Sequence, residues 1–120
     1  MAYGSTGVET VSSTKSVGNT WTDYNSLTIQ KNGVYSIRLY MNGGSASTTK
    51  MRSSARILKN GSTLMGVAAW SISNYAGNNF AEEYDTQVFW LEKDDVLKTQ
   101  GKNDNWTGNN NVQMSVKQIY

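Results

Sequence analysis

The run Gly33-Val34-Tyr35-Ser36-Ile37-Arg38-Leu39-Tyr40-Met41 alternates side chains with period two. Successive side chains of a strand point to opposite faces, so Tyr35, Ile37, Leu39 and Met41 share one face and are expected in a core. Val34, Ser36, Arg38 and Tyr40 fall on the other. The same alternation, more weakly, marks strands over Thr10–Val17 and Ser26–Gln30, where Leu27 and Ile29 share a face. It continues over Met51–Lys59, Ser62–Ser71, Thr86–Leu91, Val96–Thr99 and Val112–Tyr120, about eight strands in all. Their spacing suits a sandwich or barrel.

The segments between them read as turns. Lys31-Asn32-Gly33 and Lys59-Asn60-Gly61 are the same tripeptide between apolar runs, and Asn-Gly tolerates the positive φ of a hairpin turn. Asn42-Gly43-Gly44-Ser45 opens an expected loop reaching Thr49, and Asn74–Phe80 opens another. Lys102–Asn111 is the most loop-like stretch of all.

Composition agrees with an all-β chain. The 120 residues include 14 Ser, 12 Thr, 13 Asn and 11 Gly, which compete poorly with Ala or Leu inside a helix. Thirteen aromatic residues and a net charge of only +2 separate this pattern from that of a disordered chain. The chain has no Cys and no His, which removes disulfides, imidazole and thiolate metal ligation, and nucleophilic catalysis that depends on either residue. No enzyme activity and no cofactor is expected. The small net charge argues against a nucleic-acid partner, and no apolar run is long enough for a membrane helix. The opening MAYGSTGVETVSS has no signal-peptide core, so assembly in a reducing cytoplasm is expected.

The run Gln87-Val88-Phe89-Trp90-Leu91 is apolar on both faces. A strand on the outside of a lone two-layer sandwich should have one polar face, so a loop or a neighbouring subunit is expected over Val88 and Trp90.

Four pieces in order resemble the tumour-necrosis-factor-like jelly roll, a group that includes complement globular heads and many bacteriophage fibre and capsid proteins. They are Leu27-Thr28-Ile29 leading into Gly33-Val34-Tyr35-Ser36-Ile37; Ile57-Leu58-Lys59-Asn60-Gly61; Leu91-Glu92-Lys93-Asp94-Asp95-Val96; and the alternating strand Val112–Tyr120. Asp94 stands where the family favours Gly, and Asp also tolerates left-handed backbone. The resemblance implies a two-sheet antiparallel jelly-roll sandwich occupying 1–120 as one domain. Residues 1–25 would form an N-terminal arm and first strand, and 26–120 the family-like core. It further implies a homotrimer, for which Val88, Trp90, Tyr40 and Tyr120 are the expected subunit interface. The role it suggests is a virion structural protein on the outer surface of a phage particle, either a capsid decoration or a head or tail fibre head. Its partners would then be capsid or fibre proteins.

Several clusters carry groups suited to chemistry. Asn103, Asp104, Asn105, Trp106 and Asn109 could bind a host cell-surface glycan, with Trp stacking on sugar CH groups and amides meeting hydroxyls. A receptor-binding head is therefore the alternative role, although an Asn-rich turn capping the core explains the same residues. Glu82, Glu83 and Asp85, with Asp94 and Asp95, read as a solvated loop plus a turn; no calcium-loop register is present. Arg38, Arg52 and Arg56 could form a stripe across adjacent strands. Trp70, Tyr75 and Phe80 form a second aromatic group, and Trp21 and Tyr24 read as lids on the core.

Overall fold

A computed structural model describes the backbone of residues 8–45, 51–72, 78–104 and 107–120, and side chains over 9–42, 52–65, 86–104 and 107–120. Eight strands follow one another: β1 (Val8–Val17), β2 (Thr22–Thr28), β3 (Gly33–Ser45), β4 (Met51–Lys59), β5 (Ser62–Ile72), β6 (Asn78–Leu91), β7 (Val96–Asp104) and β8 (Gly108–Gln118). They form two antiparallel four-stranded sheets, β1-β8-β3-β6 and β2-β7-β4-β5. Consecutive strands mostly cross from one sheet to the other; among the described residues, β4 and β5 are the one consecutive pair joined as a hairpin.

The core is the set of inward faces that the alternation predicts. Tyr35, Ile37, Leu39 and Met41 of β3 are fully buried, and Val112, Met114 and Val116 of β8 lie beside them. Leu27 and Ile29, Ala55 and Ile57, and Leu97 face them from the second sheet, with Met65 and Leu91 closing the edges. Tyr24 is buried too, lying over Gly101 so closely that a Cβ there would come 2.7 Å from the ring.

The two Lys-Asn-Gly tripeptides part company. At Asn60 and Gly61 the backbone is left-handed, φ 50° and 89°, and the chain turns within one sheet from β4 to β5 as predicted. At Asn32 and Gly33 it is not left-handed, and the chain passes from β2 in one sheet to β3 in the other, so the expected hairpin is absent. The glycine there answers a different demand. A Cβ at Gly33 would sit 2.4 Å from the Tyr120 carbonyl oxygen and the Gln118 amide. Asp94, at φ 75°, adopts the left-handed backbone that the family's Gly would supply.

Strands are longer than the sequence suggests. Asn42–Ser45, expected in a loop, continues β3 and pairs with residues 78–81 of β6. Lys102–Asp104 continues β7 and Gly108–Asn111 begins β8, which leaves residues 105–107 as the connection. Glu82, Glu83 and Asp85 belong to β6 rather than to a loop. Asn, Gly and acidic residues disfavour strands on their own, but the partner's ladder supplies hydrogen bonds that override this preference. The arginine stripe dissolves as well: Arg38 is on β3 in the first sheet, and Arg52 and Arg56 are on β4 in the second. Trp70, Tyr75 and Phe80 have side chains outside the described residues.

Candidate functional site

The outward side of the first sheet divides into two textures. Across β1 and β8 it is a ladder of hydroxyls and amides that satisfy one another. The Asn111 amide donates to Ser12 Oγ at 2.9 Å and Thr14 Oγ1 at 3.1 Å, Gln113 donates to Asn111 Oδ1 at 2.9 Å, and Thr10 and Ser115 hydroxyls lie 3.0 Å apart. Toward the β6 edge it becomes apolar. Val88 and Trp90 are 58% and 59% exposed, and Val34 stands directly opposite Trp90 in the ladder. Phe89 and Leu91, on the other side of β6, pack into the core. The two-sided apolar run therefore has one face covered by its own sandwich and one face open.

The backbone of Tyr120 meets Val34 through an irregularity at the end of β8. The N–H groups of both Ile119 and Tyr120 reach the Val34 carbonyl, at 2.8 and 3.3 Å, and the Val34 N–H returns to the Tyr120 carbonyl at 3.0 Å. Two residues facing one is a bulge, which disrupts the ladder locally. Tyr120 is 84% exposed there. Tyr40 lies on the same outward side of β3, half-buried, but six residues from Val34, about 20 Å along the strand. Val88 and Trp90 thus lie together beside Val34, the Tyr120 backbone pairs with Val34 from the other side of β3, and Tyr40 is set apart. Val34 completes the patch; its period-two position already put it on that face.

The expected glycan loop is changed more. Asn103 is fully buried. Its Nδ2 donates to the carbonyls of Val17 (3.0 Å) and Gly108 (3.2 Å), and its Oδ1 accepts from Ser53 Oγ (2.6 Å) and the Asn110 amide. Its backbone N–H donates to Gly18 O at 2.8 Å. This amide ties β1, β4 and both ends of the 105–107 connection together, and it has no surface to offer a ligand. Asp104 is half-buried beside Lys102, with 3.8 Å between charged atoms, and Asn109 is exposed. Asn105 and Trp106 lie outside the described residues. Burial raises the Tyr24 hydroxyl to about 12, partly offset by the Asn110 amide beside it.

At the opposite end the turns are cross-tied. Asn60 Nδ2 donates to Asp95 Oδ1 at 2.9 Å, and Asn60 Oδ1 accepts from Val96 N at 2.8 Å. The Glu92 N–H donates to Asp95 Oδ2 at 2.9 Å, and Asn32 Oδ1 accepts from Lys93 N at 2.8 Å. The Glu92 N–H and then the Asn60 amide hold the Asp95 carboxyl below its ordinary range. Asp94 and Asp95 serve a turn here.

The outer side of the second sheet holds a group that sequence reasoning placed elsewhere. Trp21, expected as a core lid, lies on that surface under the Arg56 guanidinium, 4.1 Å from ring centre to Cζ, with Lys102 Nζ at 5.1 Å. Reading this group from sequence would have required the register Arg56–Gln100 across β4 and β7, which no local pattern encodes.

No family model and no curated protein matches the chain by sequence. Solved structures do match it in shape. A chain in the structure of the infectious bursal disease virus Gt strain aligns over 92% of this chain at 10% identity, with a TM-score of 0.62. Eiger TNF from S. frugiperda aligns over 92% at 10% identity and murine APRIL over 91% at 13%, each with a TM-score of 0.53. The fold is a jelly roll. This chain covers 33% of the viral chain, 93% of the Eiger chain and 99% of the APRIL chain. None of the three is named as an enzyme.

Proposed function

We propose that the chain is a virion structural protein on the outer surface of a phage particle, as a capsid decoration or the head of a head or tail fibre, and that it assembles as a homotrimer. The observation that carries this reading is the patch of Val34, Val88 and Trp90. A small sandwich that leaves a tryptophan and a valine more than half exposed side by side on a sheet face gains by covering them with another subunit. A patch near one edge of the sheet suits a heterologous contact, in which it meets a different surface of the next copy and the ring closes by rotation. The fold shared with chains of a viral particle, and a surface rich in Asn, Ser and Thr, support the virion setting. Capsid or fibre proteins are the expected partners, with assembly in the host cytoplasm.

The alternative, a receptor-binding head gripping a host glycan through 103–111, loses Asn103 to the interior and keeps Asp104 and Asn109 at the surface. In the decoration reading the N-terminal segment Met1–Val17 would dock on a shell; its described part, Val8–Val17, is paired with β8 along its whole length.

Immunogold labelling of intact particles with antibodies raised against the purified chain tests the virion reading. Regular gold on the outside of untreated particles is expected. Label confined to disrupted particles, or to host material free of particles, would overturn the surface location.

A further inference from the structure

We propose that the outer face of the second sheet carries an oxyanion-binding site centred on the Arg56 guanidinium, with Lys102 and Arg52 as flanking cations. Three contacts fix Arg56 and leave one side of it open. Its flat face lies on Trp21 at 4.1 Å. Its Nε donates to Gln100 Oε1 at 2.9 Å, and Gln100 is itself held by its amide donating to Asp23 Oδ1 at 2.8 Å. Asp23 is in turn occupied by Lys98 at 3.2 Å. Among the described residues, the two Nη groups have no hydrogen-bond or ion-pair partner. A guanidinium whose face and Nε are both committed presents its remaining edge as a fork, the shape that receives two oxygens of a carboxylate or phosphate. The entropy of ordering a long side chain, which ordinarily weakens such a contact, is already spent here.

The neighbours add charge to the same place. Lys102, opposite Ser54, stands between Arg52 and Arg56 on the face of the sheet, and its ammonium is 5.1 Å from the Trp21 ring. Arg52 is exposed, four residues from Arg56 on β4 and on the same side, because Ser53, Ala55 and Ile57 between and beyond them point into the core. Asp104 opposes Arg52 in register and approaches Lys102 at 3.8 Å, and Asp23 is held by Gln100 and Lys98, so two carboxylates face the four cations Arg52, Arg56, Lys98 and Lys102. The site lies on the opposite side of the sandwich from Val88 and Trp90, and assembly through the first sheet would leave it facing outward.

Nitrogen-detected NMR on the full chain reads the site directly through the Arg56 Nε–H and the Trp21 indole N–H. Titrations with inorganic phosphate, sodium glucuronate and methyl glucoside would be run at ionic strength held constant with sodium chloride. Saturable shifts of both resonances are expected with at least one anion, and none with the neutral sugar. Saturation by phosphate alone assigns a phosphate group, by glucuronate alone a carboxylate, and by both an oxyanion of either kind. Arg56→Gln should weaken the response of the Trp21 indole at least tenfold, and Arg56→Lys, which keeps the charge without the fork, should weaken it by a similar factor. Arg38→Gln, on the other sheet, should leave it unchanged. Shifts that rise linearly with both anions, or an undiminished response in Arg56→Gln and Arg56→Lys, would overturn the proposal.

Discussion

Replacing Asn103 by leucine puts a side chain of similar size into a fully buried site and removes every hydrogen bond the amide makes. The carbonyls of Val17 and Gly108 lose their side-chain donor, and the Ser53 hydroxyl and the Asn110 amide lose their acceptor. A buried polar group left without a partner costs about 1–3 kcal/mol, and hydroxyl rotation and small shifts recover part of this. Four groups at the low end give a loss of about 4 kcal/mol, a large share of the ~5–15 kcal/mol that holds a domain folded. For a chain of this length that is a fall in Tm of roughly 15 °C. Asn103→Ala should cost about 2 kcal/mol, because the space it opens admits water to the same partners. Urea unfolding followed by far-ultraviolet circular dichroism measures both variants, with unchanged m-values showing that stability alone has moved. A leucine variant within about 0.5 kcal/mol of wild type would contradict this loss. It would mean that the amide is not needed inside, and would return Asn103 to the set of residues free to meet a ligand.

Two further predictions concern the tied turns. Asn60→Ala places a Cβ residue without local side-chain hydrogen bonding at φ 50° and removes two 2.8–2.9 Å bonds, a loss of about 2–3 kcal/mol. Asn32→Ala removes one exposed bond from an ordinary backbone position and should cost under about 1 kcal/mol, so equal losses in urea would contradict the distinction between the two turns. Asp95→Asn should be less stable than wild type at neutral pH, with the gap closing in acid. The Asp95 carboxyl is held below its ordinary value in the folded chain, so its contribution is complete above the unfolded value of about 4 and is lost as pH falls through the folded one. Thermal melts from pH 7 to pH 3 give the comparison, and a gap that widened in acid would reverse the sign.

What could be read from the sequence was what depends on single-strand periodicity. Tyr35, Ile37, Leu39 and Met41 needed only alternation to be placed in the core, and the same parity exposed the doubled apolar character of Val88 and Trp90. Register between distant strands was not legible. Arg56 meets Gln100, and Asn103 meets Ser53, only because β7 runs beside β4, a pairing across more than forty residues. Loop-like composition misled for a related reason. Asn103, Asn110 and Asn111 look like turn residues, yet their amides are hydrogen-bonded across β1, β4, β7 and β8. The two Lys-Asn-Gly tripeptides make the point most simply, since a turn needs left-handed backbone at one and a close approach to Tyr120 demands a missing side chain at the other.

The proposed assembly uses the apolar end of the first sheet, where Val88 and Trp90 are exposed. Covering the exposed 59% of Trp90 would remove about 150 Å² from water per copy, worth roughly 3–4 kcal/mol at each contact. A closed trimer has three such contacts, enough for one substitution to dissociate it. Light scattering on the purified chain and on Trp90→Ser, with circular dichroism to confirm that the strands persist, is the most direct measurement. A trimer held through Trp90 has a wild-type mass near three times 13.3 kDa, falling toward a single chain in the variant. A wild-type monomer, or a trimer untouched by Trp90→Ser, would contradict it.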